Sequence, residues 1–476
     1  MEKGKLKIAA AGAHLCVAAL ICGLLACTVS AKEKVDIIVA GGTLVTMDAQ
    51  RRVIEDGAVA IRGDAIVAVG ARAEIAAGYE AAKTIDARGA VVMPGLINGH
   101  THAAMSLFRG VADDLSLDDW LHKYIFPAEA RNVNEDFVLW GTRLSLLEML
   151  EGGTTTFADM YYFEDAVARA AKEAGMRGVL GETIIDFSAP DNKTLAEAYT
   201  YTQKFLDHWK GDALIVAAVA PHSIYTCSEK TLQDSAALAR KNGAPILIHI
   251  AEAPFEAELS RTKHGVSPVQ YLERAGILGP DVTGAHCIWV DAADISTLTH
   301  YGVGCVHNPS SNMKTAAGVM PVVEMLAAGE ATGLATDGAA SNNDQDLFLE
   351  MNLAAKLQKS ARRDPRALPA EQVVEMATIT GARALHMEKQ IGSLEAGKKA
   401  DLILVDTDAT HATPMYNVYS QLVYALKASD VHTVVVGGKV VVEDRKALTL
   451  DEKEILAKAR GYKKKIENSL AVNPAK

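Results

Sequence analysis

The middle of the chain alternates short apolar segments with longer amphipathic ones. The eight apolar segments between residues 91 and 339 are VVMPGLINGH, TTTFADMY, RGVLGETIID, LIVAAVAPHS, APILIHIAE, DVTGAHCIW, GVGCVHNPS and ATGLATDGA. The segments between them have helical periodicity, and in one of them Asn134 can cap the helix start and Gly152 can end it. Strands alternating with helices in this way predict an α/β fold, the (β/α)₈ TIM barrel.

Short β segments with Gly and Asp at their turns occupy both ends of the chain. VDIIVAGGTLVTMD and GAVAIRGDAIVAVG precede the barrel region, whereas KADLILVDTD and VHTVVVGGKVVVED follow it. We therefore predict a small β-sandwich domain made from residues 35–90 and 391–447, with the barrel at 91–390 between them. A charged helix at 448–476 is expected to close the chain.

The first 31 residues have the composition of a signal peptide. Three lysines precede an apolar run from Ile8 to Leu25. Two cleavage sites fit: a lipobox ending at Cys27, which would then be lipidated and attach the protein to a membrane, and an ordinary site at Val29-Ser30-Ala31. A third interpretation is an uncleaved anchor, because the run has nearly the length that spans a bilayer. All three predict a bacterial protein that is exported, either periplasmic or anchored to the membrane.

Charge and cysteine content exclude some classes of function. The chain has 48 Lys and Arg against 59 Asp and Glu, a net charge of −11, and it lacks the basic stripe that nucleic-acid binding requires. We therefore expect no nucleic-acid partner. The cysteines after the leader, Cys227, Cys287 and Cys305, are widely spaced and form no C-x-x-C motif. They are expected to be buried as small apolar residues rather than to form disulfides or a thiolate zinc site.

Polar side chains recur at the C-terminal ends of the predicted strands, where they can carry chemistry. These residues are His100, His102, His249, Glu252, His286 and Asp337. In a (β/α)₈ barrel all of these strand ends face one mouth, so the side chains converge. Residues at i and i+2 of a strand share a face, so His100 and His102 can contact one ion together. Three imidazoles and a carboxylate suit Zn²⁺, with one position left for water.

Each of these residues also has an ordinary structural interpretation. A single H-x-H is a weak signal, His249 could be a buried core histidine, and Asp337 before a glycine could form a turn. Their joint placement at strand ends favours chemistry, because buried polar groups destabilise a fold unless they are paired. Glu252 is then predicted to carry protons beside the ion, and His286 to orient or polarise the attacking water.

Several segments resemble the signatures of a known family. PGLINGHTH, LIHIAE, TGAHC, LATDGAASNN and GSLEAGKKADLILVD are similar to those of the amidohydrolase superfamily. Their versions resemble the branch that contains the S-adenosylhomocysteine/5′-methylthioadenosine deaminases and the s-triazine hydrolases, over nearly all of 35–444. The resemblance implies one Zn²⁺ per subunit, with Fe²⁺ as the alternative ion. Its implied ligands are His100, His102, His249 and Asp337. The predicted strand four lacks the lysine that bridges two metals in binuclear members. The resemblance also implies a homo-oligomer.

The long segment from Ala103 to Arg131 is expected to build the substrate pocket. Nucleoside deaminases of this family place an aromatic residue and a carboxylate there, and Trp120 and Glu129 match that pattern. An indole can stack on a purine, and a carboxylate can accept hydrogen bonds from a ribose diol. On their own, Trp120 could be a packing anchor and Glu129 a solvated charge. The resemblance also implies that His222 contacts the substrate.

One position departs from the family pattern. S-adenosylhomocysteine deaminases carry two arginines, one after strand three and one downstream, that bind the carboxylate of the substrate. Here the first position is Glu182, and the downstream loop offers Lys193 but no arginine. Because Glu182 would repel a carboxylate and lysine cannot form a bidentate pair, we expect adenosines with a neutral or cationic 5′ group to be preferred.

The resemblance implies hydrolytic deamination of a purine nucleoside. Glu252 would protonate ring nitrogen N1, water activated by the metal would attack C6 as its proton passes to His286 and Asp337, and ammonia would leave. Glu252 and Asp337 would therefore contact the substrate as well. Two alternatives stay open from the sequence: hydrolysis of another N-heterocycle (a triazine, guanine or a pterin), and a non-catalytic exported lipoprotein that binds a metal or ligand.

Overall fold

The computed structural model describes residues 31–471. The predicted leader lies outside the described residues except for its last residue, Ala31, and so does the predicted lipidation site at Cys27. Within the described part of the chain, no helix combines the length and apolar character needed to cross a membrane. Cys227, Cys287 and Cys305 are buried free thiols, which confirms their prediction.

Seventeen strands lie within residues 31–471. They are β1 Glu33–Val45, β2 Val53–Arg62, β3 Ala65–Ala71, β4 Tyr79–Asp86, β5 Ala90–Pro94, β6 Leu96–Thr101, β7 Thr154–Tyr161, β8 Arg177–Ile184, β9 Ile215–Pro221, β10 Ile246–Ile250, β11 Val282–His286, β12 Gly304–His307, β13 Thr332–Leu334, β14 Leu402–Asp406, β15 Val431–Val436, β16 Lys439–Glu443 and β17 Lys446–Ala447.

Seventeen α-helices lie in the same range. They are α1 Arg72–Gly78, α2 Leu117–Asp119, α3 Phe126–Asn132, α4 Glu135–Glu151, α5 Glu164–Ala174, α6 Leu195–Trp209, α7 Glu229–Asn242, α8 Pro254–His264, α9 Pro268–Arg274, α10 Ala292–Tyr301, α11 Pro309–Lys314, α12 Val322–Ala327, α13 Leu347–Arg362, α14 Ala370–Met376, α15 Ile379–Ala384, α16 Val418–Tyr424 and α17 Glu452–Ala471. Short 3₁₀ turns occur at Ala103–Phe108, Thr410–Ala412 and Ala428–Asp430. Asn134 caps α4 and Gly152 ends it, as predicted.

Strands β6 to β13 form an eight-stranded parallel sheet in chain order within the described residues, which confirms the predicted barrel. The sheet closes where β13 meets β6, because Thr336 N lies 3.0 Å from Asn98 Oδ1 and Asp337 N donates to His100 O at 3.0 Å. Small and branched apolar side chains fill its interior, including Ile97, Ala158, Val179, Ala218 and Leu247. Catalytic residues of such a barrel therefore lie at its C-terminal mouth.

The small domain predicted from both chain ends is also confirmed. It is a nine-stranded sheet, within residues 31–471, made of β1–β5 and β14–β17. β1 pairs with β4 along its first part and with β5 after an irregularity near Gly42, where a side chain would lie 2.8 Å from the Ala87 carbonyl oxygen. The main apolar core of the sheet receives Val39 from β1 and Leu402 from β14, and a second, smaller cluster contains Val35, Ile38 and Ala58. A single sheet thus takes the form of a sandwich.

A buried ion pair joins the two domains. Arg177, the first residue of β8, places Nε 2.9 Å and Nη2 3.2 Å from the two carboxylate oxygens of Asp401, just before β14. Gly437 N donates to the same carboxylate at 2.6 Å, and Arg177 Nη1 donates to Ala213 O at 3.0 Å. Both charged side chains are only 3% exposed, so each depends on the other for its compensation.

Replacing one partner should therefore destabilise the protein. We expect Arg177→Met to lower the free energy of unfolding by about 3–5 kcal/mol, because it leaves the Asp401 carboxylate buried without a counter-charge. Chemical denaturation measures this change. The double variant Arg177→Met/Asp401→Leu is the control, and it should recover part of the loss. A single variant as stable as the wild type would contradict the assigned role of the pair.

Candidate metal and substrate site

The ends of three barrel strands bring three histidines and an aspartate to one point. His100 lies in β6, His102 directly follows it, His249 lies in β10, and Asp337 follows β13. His100 Nε2 is 3.4 Å and His102 Nε2 is 3.5 Å from Asp337 Oδ1. His249 Nε2 is 3.3 Å from His102 Nε2. The four side chains predicted as metal ligands therefore converge on a common point.

Backbone carbonyl groups orient two of these imidazoles. His102 Nδ1 lies 2.6 Å from Met160 O, and His249 Nδ1 lies 2.9 Å from His222 O. Since a carbonyl oxygen can only accept, Nδ1 carries a proton in both rings, and Nε2 is the nitrogen left to face the other side chains of the cluster. This tautomer, fixed by a partner on the far side of the ring, is the one that ligates a metal through Nε2.

The protonation states also suit a cation. Burial lowers the pKa of His100 to about 4 and that of His249 well below its usual range, so both rings are neutral near pH 7. Burial raises the pKa of Asp337, but the nearby histidines, His100 above all, outweigh it and hold this pKa well below normal. Ser311 Oγ donates to Asp337 Oδ2 at 2.6 Å and stabilises the ionised form.

The environment of His100 Nε2 supports a cation at this point. His100 Nε2 is buried and has no hydrogen-bond partner among the described residues, although it points at the other three side chains. Leaving a buried polar atom unsatisfied costs free energy, which a bound cation would remove. Three imidazoles and one carboxylate form a donor set that fits Zn²⁺.

His286 and Glu252 lie beside this cluster. His286 ends β11 with φ +74°, and its Nδ1 is 2.9 Å from Asn312 Oδ1. Its Nε2 is 3.6 Å from Glu252 Oε1, a separation too long for a hydrogen bond but short enough to share a proton through a reacting group. Burial, with a further contribution from Asp337, raises the pKa of Glu252 well above its usual range. A carboxyl group with a raised pKa holds its proton to higher pH and can act as a general acid.

Two carboxylates that sequence analysis missed fix the strand ends. Asp159 accepts a hydrogen bond from Ala103 N at 2.6 Å, directly after the H-x-H motif. Glu256 accepts from Ala251 N at 3.1 Å and Glu252 N at 2.8 Å, at a turn where Ala251 has φ +49°. Glu256 therefore sets the backbone that presents Glu252. The only sequence signal was the second glutamate of AEAPFE, Glu256, which falls in the first turn of α8.

A small pocket, with a cavity volume of about 50 Å³, opens next to the histidine cluster. Its lining includes His102, Trp120, Phe126, Glu129, Thr183 and His222. The structure thus brings together three residues predicted to contact substrate, Trp120, Glu129 and His222, beside the predicted metal ligands.

The segment that carries Trp120 and Glu129, residues 103–132, is called the pocket segment below. It is largely helical rather than an extended loop, and Trp120–Ile125 forms a π-helical turn before α3. Such turns are uncommon and occur frequently at functional sites. Trp120 is 8% exposed and faces the pocket.

Glu129 is held inside the pocket by a residue that sequence analysis did not identify. Tyr161, the last residue of β7, donates its hydroxyl to Glu129 Oε1 at 2.7 Å, and both side chains are buried. Burial raises the pKa of Glu129 to about 7, although the hydrogen bond from Tyr161 lowers it in part. The second carboxylate oxygen is left free of that bond.

Comparison with known proteins identifies the family. The amidohydrolase family model matches residues 91–441, which is more than half of the chain. The chain belongs to the amidohydrolase family.

Relatives of this amidohydrolase match it over almost their whole length. A 5-methylthioadenosine/S-adenosylhomocysteine deaminase of Syntrophus aciditrophicus is 48% identical over 92% of this chain and 99% of the relative. A 5′-deoxyadenosine deaminase of Methanosarcina mazei is 43% identical over 89% of this chain and 97% of the relative. The crystal structure of an adenosine deaminase from Xanthomonas campestris with bound zinc has a TM-score of 0.90, 37% identity and coverage of 92% and 100%.

The amidohydrolase structure corrects the interpretation of Glu182. This side chain is fully buried away from the pocket, where Oε2 accepts from Glu164 N at 3.1 Å and Oε1 from Asn192 Nδ2 at 3.2 Å. Thr183 lines the pocket instead, because successive side chains of a strand point to opposite faces. Burial raises the pKa of Glu182 well above its usual range, and Asp191 adds to this shift. Because Glu182 lies outside the pocket and its environment disfavours the ionised form, the expected repulsion of a substrate carboxylate is not supported.

Lys193, at the second position that departs from the family pattern, does not supply a cation to the pocket. Lys193 is exposed, and its ammonium group donates to Ala189 O at 2.9 Å within its own loop. Among the described residues that line the pocket, none is a lysine or an arginine. The pocket of this amidohydrolase therefore lacks a cation that could bind a substrate carboxylate.

The raised pKa of Glu182 predicts a pH-dependent stability difference. The unfolded chain releases this proton at the ordinary glutamate pKa of about 4.3, whereas the folded chain keeps it. The stability contributed by the protonated group is therefore complete below that pH and is lost as pH rises through the folded pKa. Because glutamine cannot titrate, Glu182→Gln should gain stability relative to the wild type as pH increases.

Urea unfolding between about pH 5 and pH 8 measures this difference. Glu258→Gln, on the exposed face of α8, is the matched control and should follow the wild type at every pH. A Glu182→Gln variant whose stability runs parallel to that of the wild type would show that the carboxyl group does not hold its proton in the folded state.

Proposed function

We propose that this amidohydrolase is a zinc-dependent deaminase that converts a 5′-modified adenosine to the corresponding inosine and ammonia. The observation that carries the proposal is a single continuous site. A pocket containing Trp120 and Glu129 opens directly onto the cluster of His100, His102 and Asp337. The names of the relatives, deaminases of 5-methylthioadenosine, S-adenosylhomocysteine and 5′-deoxyadenosine, support the same chemistry.

The residues that would hold the zinc ion are His100, His102, His249 and Asp337. Their converging atoms and the unpartnered His100 Nε2 support this assignment. When bound, zinc acts as a Lewis acid and lowers the pKa of a water molecule towards neutrality.

Proton transfer is assigned to residues around the ring of the substrate. Glu252, whose raised pKa favours the protonated form, would donate its proton to N1 of adenine and make C6 more electrophilic. Asp337 and His286 would receive the proton that the attacking water gives up. Glu252 would afterwards carry a proton to the leaving amine. Asn312 fixes the ring of His286, so its Nε2 faces both Glu252 and the reacting position.

The pocket can bind the remainder of a nucleoside. Trp120 offers an apolar face on which a purine can stack. Glu129, with one oxygen bonded to Tyr161, can accept the hydroxyl groups of a ribose with the other. Burial lowers the pKa of His222 to about 3, and its Nδ1 lies 3.0 Å from Thr226 Oγ1. A neutral His222 is therefore oriented with its Nε2 available to a substrate.

The 5′ substituent is proposed to be neutral or cationic. The pocket has no arginine or lysine among its described lining residues, and the Lys193 ammonium is used within its own loop. A substrate carboxylate would thus be desolvated without a charged partner. The preference for a neutral or cationic 5′ group is therefore the one predicted from the sequence, but its physical basis is the lack of a lysine or arginine in the described pocket lining, not the charge of Glu182.

We also propose that the enzyme is exported, which rests on the sequence of residues 1–31 alone. Lipidation of Cys27 and assembly into a homo-oligomer stay predictions from the sequence.

Removing the proton of Glu252 should abolish turnover without emptying the metal site. We expect Glu252→Gln to lower kcat by about 100-fold or more, the usual contribution of a positioned acid–base group, with an unchanged zinc content. Metal analysis and ammonia release measure the two quantities. Asp337→Asn is the contrasting variant and should lose zinc as well. Near-wild-type turnover by Glu252→Gln would remove this residue from the mechanism.

A substrate panel tests the nucleoside pocket. Ammonia release would be followed for adenosine, 5′-deoxyadenosine, methylthioadenosine, S-adenosylhomocysteine, guanine and a pterin, and chloride release for a chlorotriazine. We expect the three adenosines without a carboxylate to be the best substrates, with kcat/KM for S-adenosylhomocysteine lower by roughly tenfold or more, because a charge-assisted hydrogen bond is missing. S-adenosylhomocysteine as the best substrate would refute the preference, and no turnover of any adenosine would refute the nucleoside assignment.

A further inference from the structure

The C-terminal helix, α17, packs on the outside of the barrel against α4 and α3. Its buried side chains, Ile455, Tyr462 and Ile466, are spaced so that they share one face of the helix. It is remote in sequence from the pocket, and nothing in the mechanism above uses it. Its contacts nevertheless lead to Glu129, which is proposed above to bind the substrate.

The middle of α17 is fixed to α4, a helix of the barrel itself. The Tyr462 hydroxyl donates to Asp136 Oδ2, and the Tyr462 ring meets Phe137 edge-on with ring centroids 5.5 Å apart. The ammonium group of Lys458 lies 4.7 Å from the centre of the Trp140 ring, a cation–π distance. These contacts give α17 a rigid base from which its last turn can position something else.

The last turn of α17 contacts the end of the pocket segment. Asn132 Nδ2 donates to Ser469 Oγ at 2.8 Å, between residues 337 positions apart in the chain. The Ser469 hydroxyl itself donates to Ile466 O at 2.8 Å, so its lone pairs are free to accept from Asn132. Arg131 Nη1 adds a longer bond of 3.4 Å to Ser469 O.

The same asparagine is tied to the turn of α3 that carries Glu129. Asn132 Nδ2 also donates to Ala128 O at 2.8 Å, directly before Glu129. Glu129 is therefore held from two sides: Tyr161 fixes its carboxylate in the pocket, and the Asn132–Ser469 contact fixes its helix from outside. A carboxylate that must meet two hydroxyl groups depends on such positioning, since small displacements weaken both bonds.

We propose that the last turn of α17 is a brace for substrate recognition, in which Ser469 and Asn132 are positioning residues for Glu129. The inference rests on the proposed function, in which Glu129 binds the ribose diol. Loosening the brace weakens binding of the diol and leaves the metal cluster and Glu252 undisturbed, because the hydrogen bonds of Ser469 reach Asn132, Arg131 and Ile466 and none of the site residues.

Steady-state kinetics of the full-length, zinc-loaded enzyme test the brace. Ser469→Ala removes the acceptor, and Asn468→Ala, at the exposed neighbouring position, is the matched control. For 5′-deoxyadenosine we expect Ser469→Ala to raise KM about threefold to tenfold, as for loss of one hydrogen bond, with kcat within about twofold. Ser469→Thr, which keeps a hydroxyl, should restore the wild-type KM, and zinc content should be equal in all variants.

A second substrate separates the brace from the proposed function. With the wild type, the analogue of 5′-deoxyadenosine without its 2′- and 3′-hydroxyls should have a higher KM than the parent compound. The KM of this analogue should be the same for Ser469→Ala as for the wild type. A Ser469→Ala enzyme that matches Asn468→Ala, or whose KM rises equally for both substrates, would overturn the brace. A wild type that does not distinguish the two substrates would overturn the ribose role of Glu129 itself, and the brace with it.

Discussion

One hydrogen bond joins the architecture of this protein to its chemistry. Asp337 N donates to His100 O where β13 meets β6, so the bond that closes the barrel also places the first and last residues of the site side by side. The side chains of the same two residues then lie 3.4 Å apart. Because the strands of a closed barrel cannot slide individually, the geometry of the cluster is fixed by the whole sheet.

Around the junction of β13 and β6, burial is the main influence on the pKa of the ionisable side chains. The same loss of water keeps His100 neutral, raises the pKa of Glu252 and raises that of Glu129 to about 7. Asp337 is the exception in this group, because the nearby histidines stabilise its charge and hold its pKa well below normal. The site thus combines imidazoles, a carboxylate with a lowered pKa and a carboxyl group with a raised pKa, which suits the metal-assisted deamination proposed above.

Sequence alone could predict the barrel and the cluster, because both follow from local rules: apolar strands separated by helices, and polar residues at strand ends. The sequence prediction for Glu182 was wrong because successive strand residues point to opposite faces. The neighbouring Thr183 faces the pocket instead. Tyr161, Glu256 and Ser469 carried no recognisable motif, since their roles depend on which partners the fold brings to them. The π-helical turn at Trp120 was equally invisible to a helix pattern.

The small domain has a consequence for how the chain can be made. β5 lies between β1 and β14 in the sheet, yet the whole barrel separates β5 from β14 in the sequence. During synthesis the N-terminal strands emerge first and must wait with one edge of β5 unpaired until almost the entire polypeptide has been made. An exposed strand edge is a site of intermolecular pairing, so we expect this protein to be most vulnerable to aggregation before its last 75 residues, from β14 onward, appear. The barrel is thus an insertion into a sheet that only a finished chain can complete.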